Sequence, residues 1–242
     1  MTGDEAALPA VEPPSCLNCG TPVRERFCPD CGQRRVGRIT FRGVFADAAH
    51  ALTNLDSRFL RTVAGLTQRP GAVTREYVEG RREAYMNPVK YAFFTTTFFV
   101  LMIHLFEIPV WRLMNSPPES FMAIFSLLSY LVFVNALGAA AVQRLLFLRS
   151  GRNLAECYAF VLFCYGHAVL LFLVAAFLGA YDGWKTYAVI PLGTAALLAW
   201  GLVGFYGTRA WRAVPSALIM VVAYYFTGAL MSFVIGFASR LF

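Results

Sequence analysis

From about residue 89 onward the chain is written as long apolar runs separated by short polar breaks. Five stretches, 89–107, 121–142, 155–180, 187–207 and 214–238, each approach the roughly 20 apolar residues that a helix needs to cross a bilayer. Upstream the period changes. Phe41, Val44, Phe45, Ala48, Leu52, Leu55, Phe59, Val63 and Leu66 recur at helical spacing. Thr40 is placed to cap this run, and Asn54-Leu55-Asp56-Ser57 divides it, with Asp56 capping the second helix. Arg42, Asp47, His50, Arg58 and Arg61 lie largely off the apolar stripe. Basic residues beside such a stripe, next to a span, predict a helix lying in the headgroup plane; the core face of a small helical bundle is the other reading. Pro70-Gly71 interrupts the pattern, a short helix over 72–79 follows, and Gly80 is placed to end it. Pro88 then marks the start of the first span.

The pattern predicts an all-α membrane protein in four parts. Residues 1–15, acidic and Pro-rich with no signal-peptide core, form a disordered leader. Residues 16–33 are a cysteine-rich module, 40–88 are basic amphipathic juxtamembrane helices, and 89–242 are a five-helix transmembrane domain. Composition agrees: 58% of the 242 residues are hydrophobic, 15% aromatic, and the mean hydropathy is +0.56.

Charge orients the chain. Thirteen of the 21 Lys and Arg lie between Arg24 and Lys90. The second inter-span loop adds Arg144, Arg149 and Arg152, and the fourth adds Arg209 and Arg212. Only Arg112, Lys185 and Arg240 fall on the other side. The positive-inside rule therefore predicts a cytoplasmic N-terminus and an external C-terminus. The same bias points to anionic lipid headgroups or an acidic protein partner beside the membrane. Nucleic acid is disfavoured, because no soluble part is large enough to present a groove-reading element.

The cysteine module reads Cys16-Leu-Asn-Cys19-Gly20, eight residues, then Cys28-Pro-Asp-Cys31-Gly32-Gln33. Each Cys-x-x-Cys turn delivers two thiolates from one bend, and two such turns make the four-sulfur set of a zinc ribbon. Glycine after the second cysteine supplies a positive φ. So short a module has almost no apolar core, so a structural Zn²⁺ supplies most of its folding free energy; iron is the alternative ion. A disulfide fits less well with a cytoplasmic placement. Arg24, Arg26, Arg34 and Arg35 offset the net charge of about −2 on a tetrathiolate site.

Other candidate chemistry is sparse. Arg81, Arg82 and Lys90 are placed to meet lipid phosphates, and Tyr85 and Tyr91 to sit at the interface. His104 and Glu107 share a helix face near the outer end of the first span, and Asn135 and His167 lie within later spans. Cys157, Cys164 and His167 fall on one side of the third span and could ligate a second metal. Gly228, Ser232 and Gly236 form a small-residue packing stripe on the last span, with Ala136/Ala140 a weaker version. There is no phosphate-cradling glycine loop, nucleophile elbow or His-Glu-x-x-His motif.

The ordered set Cys16-x-x-Cys19-Gly20, Phe27-Cys28-Pro29-x-Cys31-Gly32-Gln33, Leu60-x-Thr62, Pro70-Gly71 and Glu76-Tyr77-x-x-Gly80-x-Arg82-x-x-Tyr85-x-x-Pro88 resembles a bacterial membrane-protein family of unknown function, the domain of unknown function 3667 family. The resemblance covers about residues 16–105. It implies an inner-membrane protein with a cytoplasmic zinc ribbon and carries no activity with it. The sequence therefore predicts a non-enzymatic membrane component that binds lipid or a protein partner. A small-solute transporter or channel built on His104, Glu107, Asn135 and His167 is the alternative, and a membrane-embedded enzyme a second one.

Overall fold

The structure is a computed structural model, and it describes residues 14–35, 38–42, 57–106, 131–177 and 185–238. These residues hold seven α-helices: α1 (Ser57–Gln68), α2 (Pro70–Val78), α3 (Pro88–Leu105), α4 (Val132–Leu146), α5 (Leu154–Phe177), α6 (Lys185–Tyr206) and α7 (Ala210–Ala238). The N-terminal module adds two isolated antiparallel bridges, Ser15 with Pro22 and Phe27 with Arg34.

Helix α5 is the axis of the bundle. It packs against α3, α4, α6, α2 and α1, and Ala155 through His167 are all buried. An all-round apolar helix has this fate when neighbours surround it. Its start is fixed by a capping box: Asn153 Oδ1 accepts from the Glu156 N–H at 2.8 Å, and Glu156 Oε2 accepts from the Asn153 N–H at 2.9 Å. Helix α7 lies outermost against α4 and α6, and exposes Val214, Leu218, Val222, Phe226 and Phe233.

Among the described residues, three helices are long and apolar enough to cross a membrane: α3, α5 and the 22 residues Ala210–Met231 of α7. Helix α4 and the Ile190–Tyr206 part of α6 are apolar but shorter. The first ten residues of the expected second span, with Glu107 and the leader up to residue 13, lie outside the described residues, as do stripe positions 44–55 and Asp56.

The juxtamembrane stripe turns inward. Phe41, Phe59, Val63 and Leu66 pack into the main core, where α1 meets α2 and α5. Leu66 is fully buried there and Phe41, Phe59 and Val63 are half-buried against it, which fits the core-face reading of the stripe. Pro70-Gly71 is likewise more than a break: Pro70 opens α2, and Gly71 lets α2 cross α6 backbone to backbone. A Cβ at Gly71 would fall 2.1 Å from the Gly201 carbonyl oxygen and 2.6 Å from Gly204 Cα. On the outer side, a Cβ at Gly228 would meet Asn135 Nδ2 at 2.9 Å, so the first position of the small-residue stripe is spent on α4. Ala136 and Ala140 are fully buried in the core.

The N-terminal module, the α2–α3 connection, the α4–α5 turn and the α6–α7 turn share one end of the bundle. Arg152 of the α4–α5 turn pairs with Glu79 at 2.6 Å, Arg38 pairs with Glu156 at 2.9 Å, and the Phe147 ring stacks on Tyr206 at 4.2 Å. The loops that the charge pattern assigns to one side of a membrane are thus neighbours in space; we call this the ribbon end.

Candidate metal centre and the collar beneath it

The two cysteine turns are built alike. Gly20 N–H donates to Cys16 O and Gly32 N–H to Cys28 O, while Cys16 N–H donates to Thr21 O and Cys28 N–H to Gln33 O. Gly20 and Gly32 have φ of +84° and +69°, the left-handed region that the sequence reserved for glycine. The four sulfurs of Cys16, Cys19, Cys28 and Cys31 all lie within 4.8 Å of one another, with Cys16–Cys31 at 3.6 Å and Cys19–Cys28 at 3.5 Å. A tetrahedron with metal–sulfur bonds of about 2.3 Å has edges of about 3.8 Å, so the quartet fits one metal ion. All four are free cysteines. The hydroxyl and amide of Thr21 pull the Cys19 thiol down to about 6, and burial pushes Cys31 up to about 11.

Directly beneath the quartet lies the connection between α2 and α3, residues 79–87, which forms a collar. Gln33, only 4% exposed, is the bolt. Its Nε2 donates to Gly80 O at 2.8 Å, and its Oε1 accepts from Arg82 N at 3.1 Å and from Glu83 N at 3.2 Å. Leu17 of the first cysteine turn lies over Gly80, whose φ of +122° excludes a side chain and whose Cβ would fall 2.4 Å from Leu17 Cδ1. The ribbon is therefore seated on the bundle.

The collar is held from every other side. Glu76 accepts from Arg69 at 2.8 Å, from Arg81 at 3.0 Å and from the Tyr85 hydroxyl at 2.7 Å. Thr62 of α1 accepts from Met86 N at 2.9 Å. Asn87 Oδ1 caps α3 by accepting from Val89 N at 2.9 Å, with Pro88 in the first turn. The five predicted interfacial residues divide accordingly. Arg81 is half-exposed and ion-paired with Glu76, Arg82 gives its backbone N–H to Gln33, and Lys90 is half-buried at the start of α3. Tyr85, 4% exposed, faces inward, and burial together with the Glu76 carboxylate raises its phenol. Tyr91, expected at the interface, is fully buried.

The intramembrane candidates do not meet. His167 is buried between Tyr91, whose hydroxyl lies 2.9 Å from Nδ1, and Thr67, whose oxygen lies 3.2 Å from Nε2. Thr67 spends its own hydrogen on Val63 O at 2.8 Å, so it accepts from Nε2–H, and Nδ1 accepts from Tyr91. His104 is exposed and bonds Val100 O of its own helix, and Asn135 faces Gly228. Cys157 contacts the Tyr206 hydroxyl and Cys164 packs at Gly201, both toward α6, whereas His167 turns to α1 and α3. The expected second metal group is therefore not assembled: among the described residues, the ribbon quartet alone brings three or more metal-ligating side chains together.

Gln33, Glu76, Thr62, Asn87 and Leu17 escaped assignment from sequence. Each is a residue type common in unremarkable places; Gln33, Thr62 and Leu17 act through contacts 24 to 63 positions away, whereas Glu76 and Asn87 act on residues within nine positions. Asn153-x-x-Glu156 before an apolar run was legible as a capping box.

A helical bundle with three membrane-length helices and a four-cysteine module defines a class, a membrane-type helical protein with a candidate metal centre. Residues 56–100 match the family model described as Protein of unknown function (DUF3667), so this stretch of the chain is similar to that family. The matched segment is α1, α2, the collar and most of α3; the cysteine module lies outside it. No curated protein and no solved structure matches the chain.

Proposed function

We propose that this is a non-enzymatic integral membrane component whose zinc-folded ribbon and collar form one rigid head on the cytoplasmic side of five spans. The head engages anionic lipid headgroups or an acidic protein partner. The observation that carries this reading is the seating of Gln33 on three backbone groups of the collar. A ribbon that merely dangled would need no such buried joint. The surface it holds in place is basic: Arg24, Arg26, Arg34 and Arg35 are exposed around the quartet, and Arg81 lies on the collar rim. In this reading Tyr85 acts by fixing the collar through Glu76 and touches no lipid.

The bacterial inner membrane is the compartment that such a reducing-side ribbon and the charge bias of the loops favour. Zinc is favoured over iron because a closed four-cysteine site with no open position is the common form of a structural zinc site. The test is elemental analysis with identification of co-purified lipids and proteins, comparing wild type, Cys16→Ser and Gln33→Ala in mild detergent. The reading expects about one zinc per wild-type chain and loss of the co-purified species in both variants. Identical co-purified species in all three would sink it.

A further inference from the structure

At the ribbon end a cavity of about 710 Å³ opens between the turn that follows α4 and the turn that joins α6 to α7. Its volume lies in the range of small-molecule sites. Its floor is rigid: the Phe147 and Tyr206 rings stack in parallel at 4.2 Å, and Gln143 Nε2 donates to the Tyr206 hydroxyl at 3.1 Å. Gly207, with φ of +65°, ends α6 there and turns the chain into α7.

The charge lining this cavity has one sign. Arg149, Arg209 and Arg212 line it, and no Asp or Glu does. Five other arginines pair with the protein's own acids: Arg38 with Glu156, Arg58 with Glu83, Arg69 and Arg81 with Glu76, and Arg152 with Glu79. Among the described residues, Arg149, Arg209 and Arg212 pair with no carboxylate. Three guanidinium groups concentrated around one cavity repel one another unless an anion joins them, and phosphate oxygens match the guanidinium fork.

The rim on the other side is apolar. Trp211 is 70% exposed and Leu145 is 65% exposed, and they continue along α7 into exposed Val214 and Leu218. An exposed tryptophan beside arginines at the end of a membrane-length helix is the arrangement that sits at a bilayer boundary. A free phosphate would use the arginines and leave this rim idle, whereas a phospholipid uses both.

We propose that this groove binds an anionic membrane phospholipid, with its phosphate held by Arg149, Arg209 and Arg212 and its acyl chains lying along Trp211, Val214 and Leu218. The site rests on the transmembrane reading above but not on the ribbon head, from which it is separate. It differs also from Arg81 of the collar, which pairs with Glu76.

The test uses the full-length protein purified in mild detergent and titrated with phosphatidylglycerol, phosphatidylcholine or inorganic phosphate, followed by native mass spectrometry. The wild type is expected to retain phosphatidylglycerol over phosphatidylcholine by about tenfold or more, because each arginine beside the phosphate adds to the attraction for an anionic headgroup. In Arg149→Gln/Arg209→Gln/Arg212→Gln the two lipids should be retained equally. Equal retention by the wild type, or an undiminished preference in the triple variant, overturns the proposal. Binding of inorganic phosphate with no lipid preference overturns the lipid assignment. Should the triple variant fail to fold, quenching of wild-type fluorescence by brominated phosphatidylglycerol against brominated phosphatidylcholine, less that of Trp211→Phe, decides without it: Trp211-specific quenching by the anionic lipid supports the site, and equal quenching rejects it. Loss of preference in the triple variant with Gln33→Ala unaffected would sustain the groove and sink the head; the reverse would do the opposite.

Discussion

At the scale of single residues, the collar depends on a few side chains that each satisfy several backbone groups. Gln33 is the clearest. Replacing it by Ala leaves Glu83 N to find water in a buried joint and leaves Gly80 O and Arg82 N only their bond to each other at 2.9 Å, at a cost of about 2 kcal/mol. Amide exchange at Arg82 and Glu83 should therefore accelerate strongly in Gln33→Ala, while exchange in the middle of α5 stays unchanged; equal protection at the collar would show the joint to be idle. Gly80→Ala should act in the same direction for a different reason. Its φ of +122° is strained for any side chain, and the new Cβ would strike Leu17. Both variants should make the cysteine module more accessible to protease than wild type.

At the scale of elements, two contacts decide how the helices assemble. The crossing of α2 on α6 has no room for a methyl group, since Gly71 meets Gly201 and Gly204 directly. Gly71→Ala should lower the unfolding temperature in detergent, with a cost of about 1–3 kcal/mol for overpacking. An unchanged temperature would mean that the crossing is looser than described. The start of α5 depends on the Asn153–Glu156 box and on Arg38, which clasps the same carboxylate. Asn153→Ala should cost about 1 kcal/mol through the lost cap, read as faster amide exchange in the first turn of α5. Glu156→Gln keeps the shape but removes the charge that holds Arg38, and should free residues 38–39 from the α4–α5 turn.

At the scale of the whole molecule, the ribbon end is one connected body. The metal quartet, the collar, the α4–α5 turn and the α6–α7 turn are linked through Gln33, Glu79–Arg152 and Phe147–Tyr206. Chelation should therefore do more than unfold a small module. In the proposed reading a bound metal supplies most of the folding free energy of so short a ribbon, so its removal should release Gln33 and raise exchange at Arg82 and Glu83 to the level of Gln33→Ala. A chelated protein whose collar stays protected would show that the seating is independent of metal. The effect should deepen as pH falls, because protons compete with the metal for the four thiolates.

Several features were legible in the chain alone, each because it is a local pattern. The Cys-x-x-Cys-Gly turns announce the quartet, since ligand spacing and the positive φ of Gly20 and Gly32 are properties of five-residue stretches. Apolar runs announce α3, α5 and α7, and Pro70 and Pro88 mark the starts of α2 and α3. The gathering of basic loops at one end was implied by their alternation along the sequence. What tertiary structure alone decided is which face of each pattern meets which neighbour. An amphipathic stripe is written the same way whether it faces lipid or protein, and only the packed core takes in Leu66 with Phe59 and Val63 against it. Tyr85 and Tyr91 read as boundary aromatics but are buried, because Glu76 lies beside one hydroxyl and His167 beside the other. His104, Asn135 and His167 share a composition signal and no common place. Gln33 carried no signal at all: its role exists only where the ribbon comes down on the collar, and that contact spans almost fifty residues of chain.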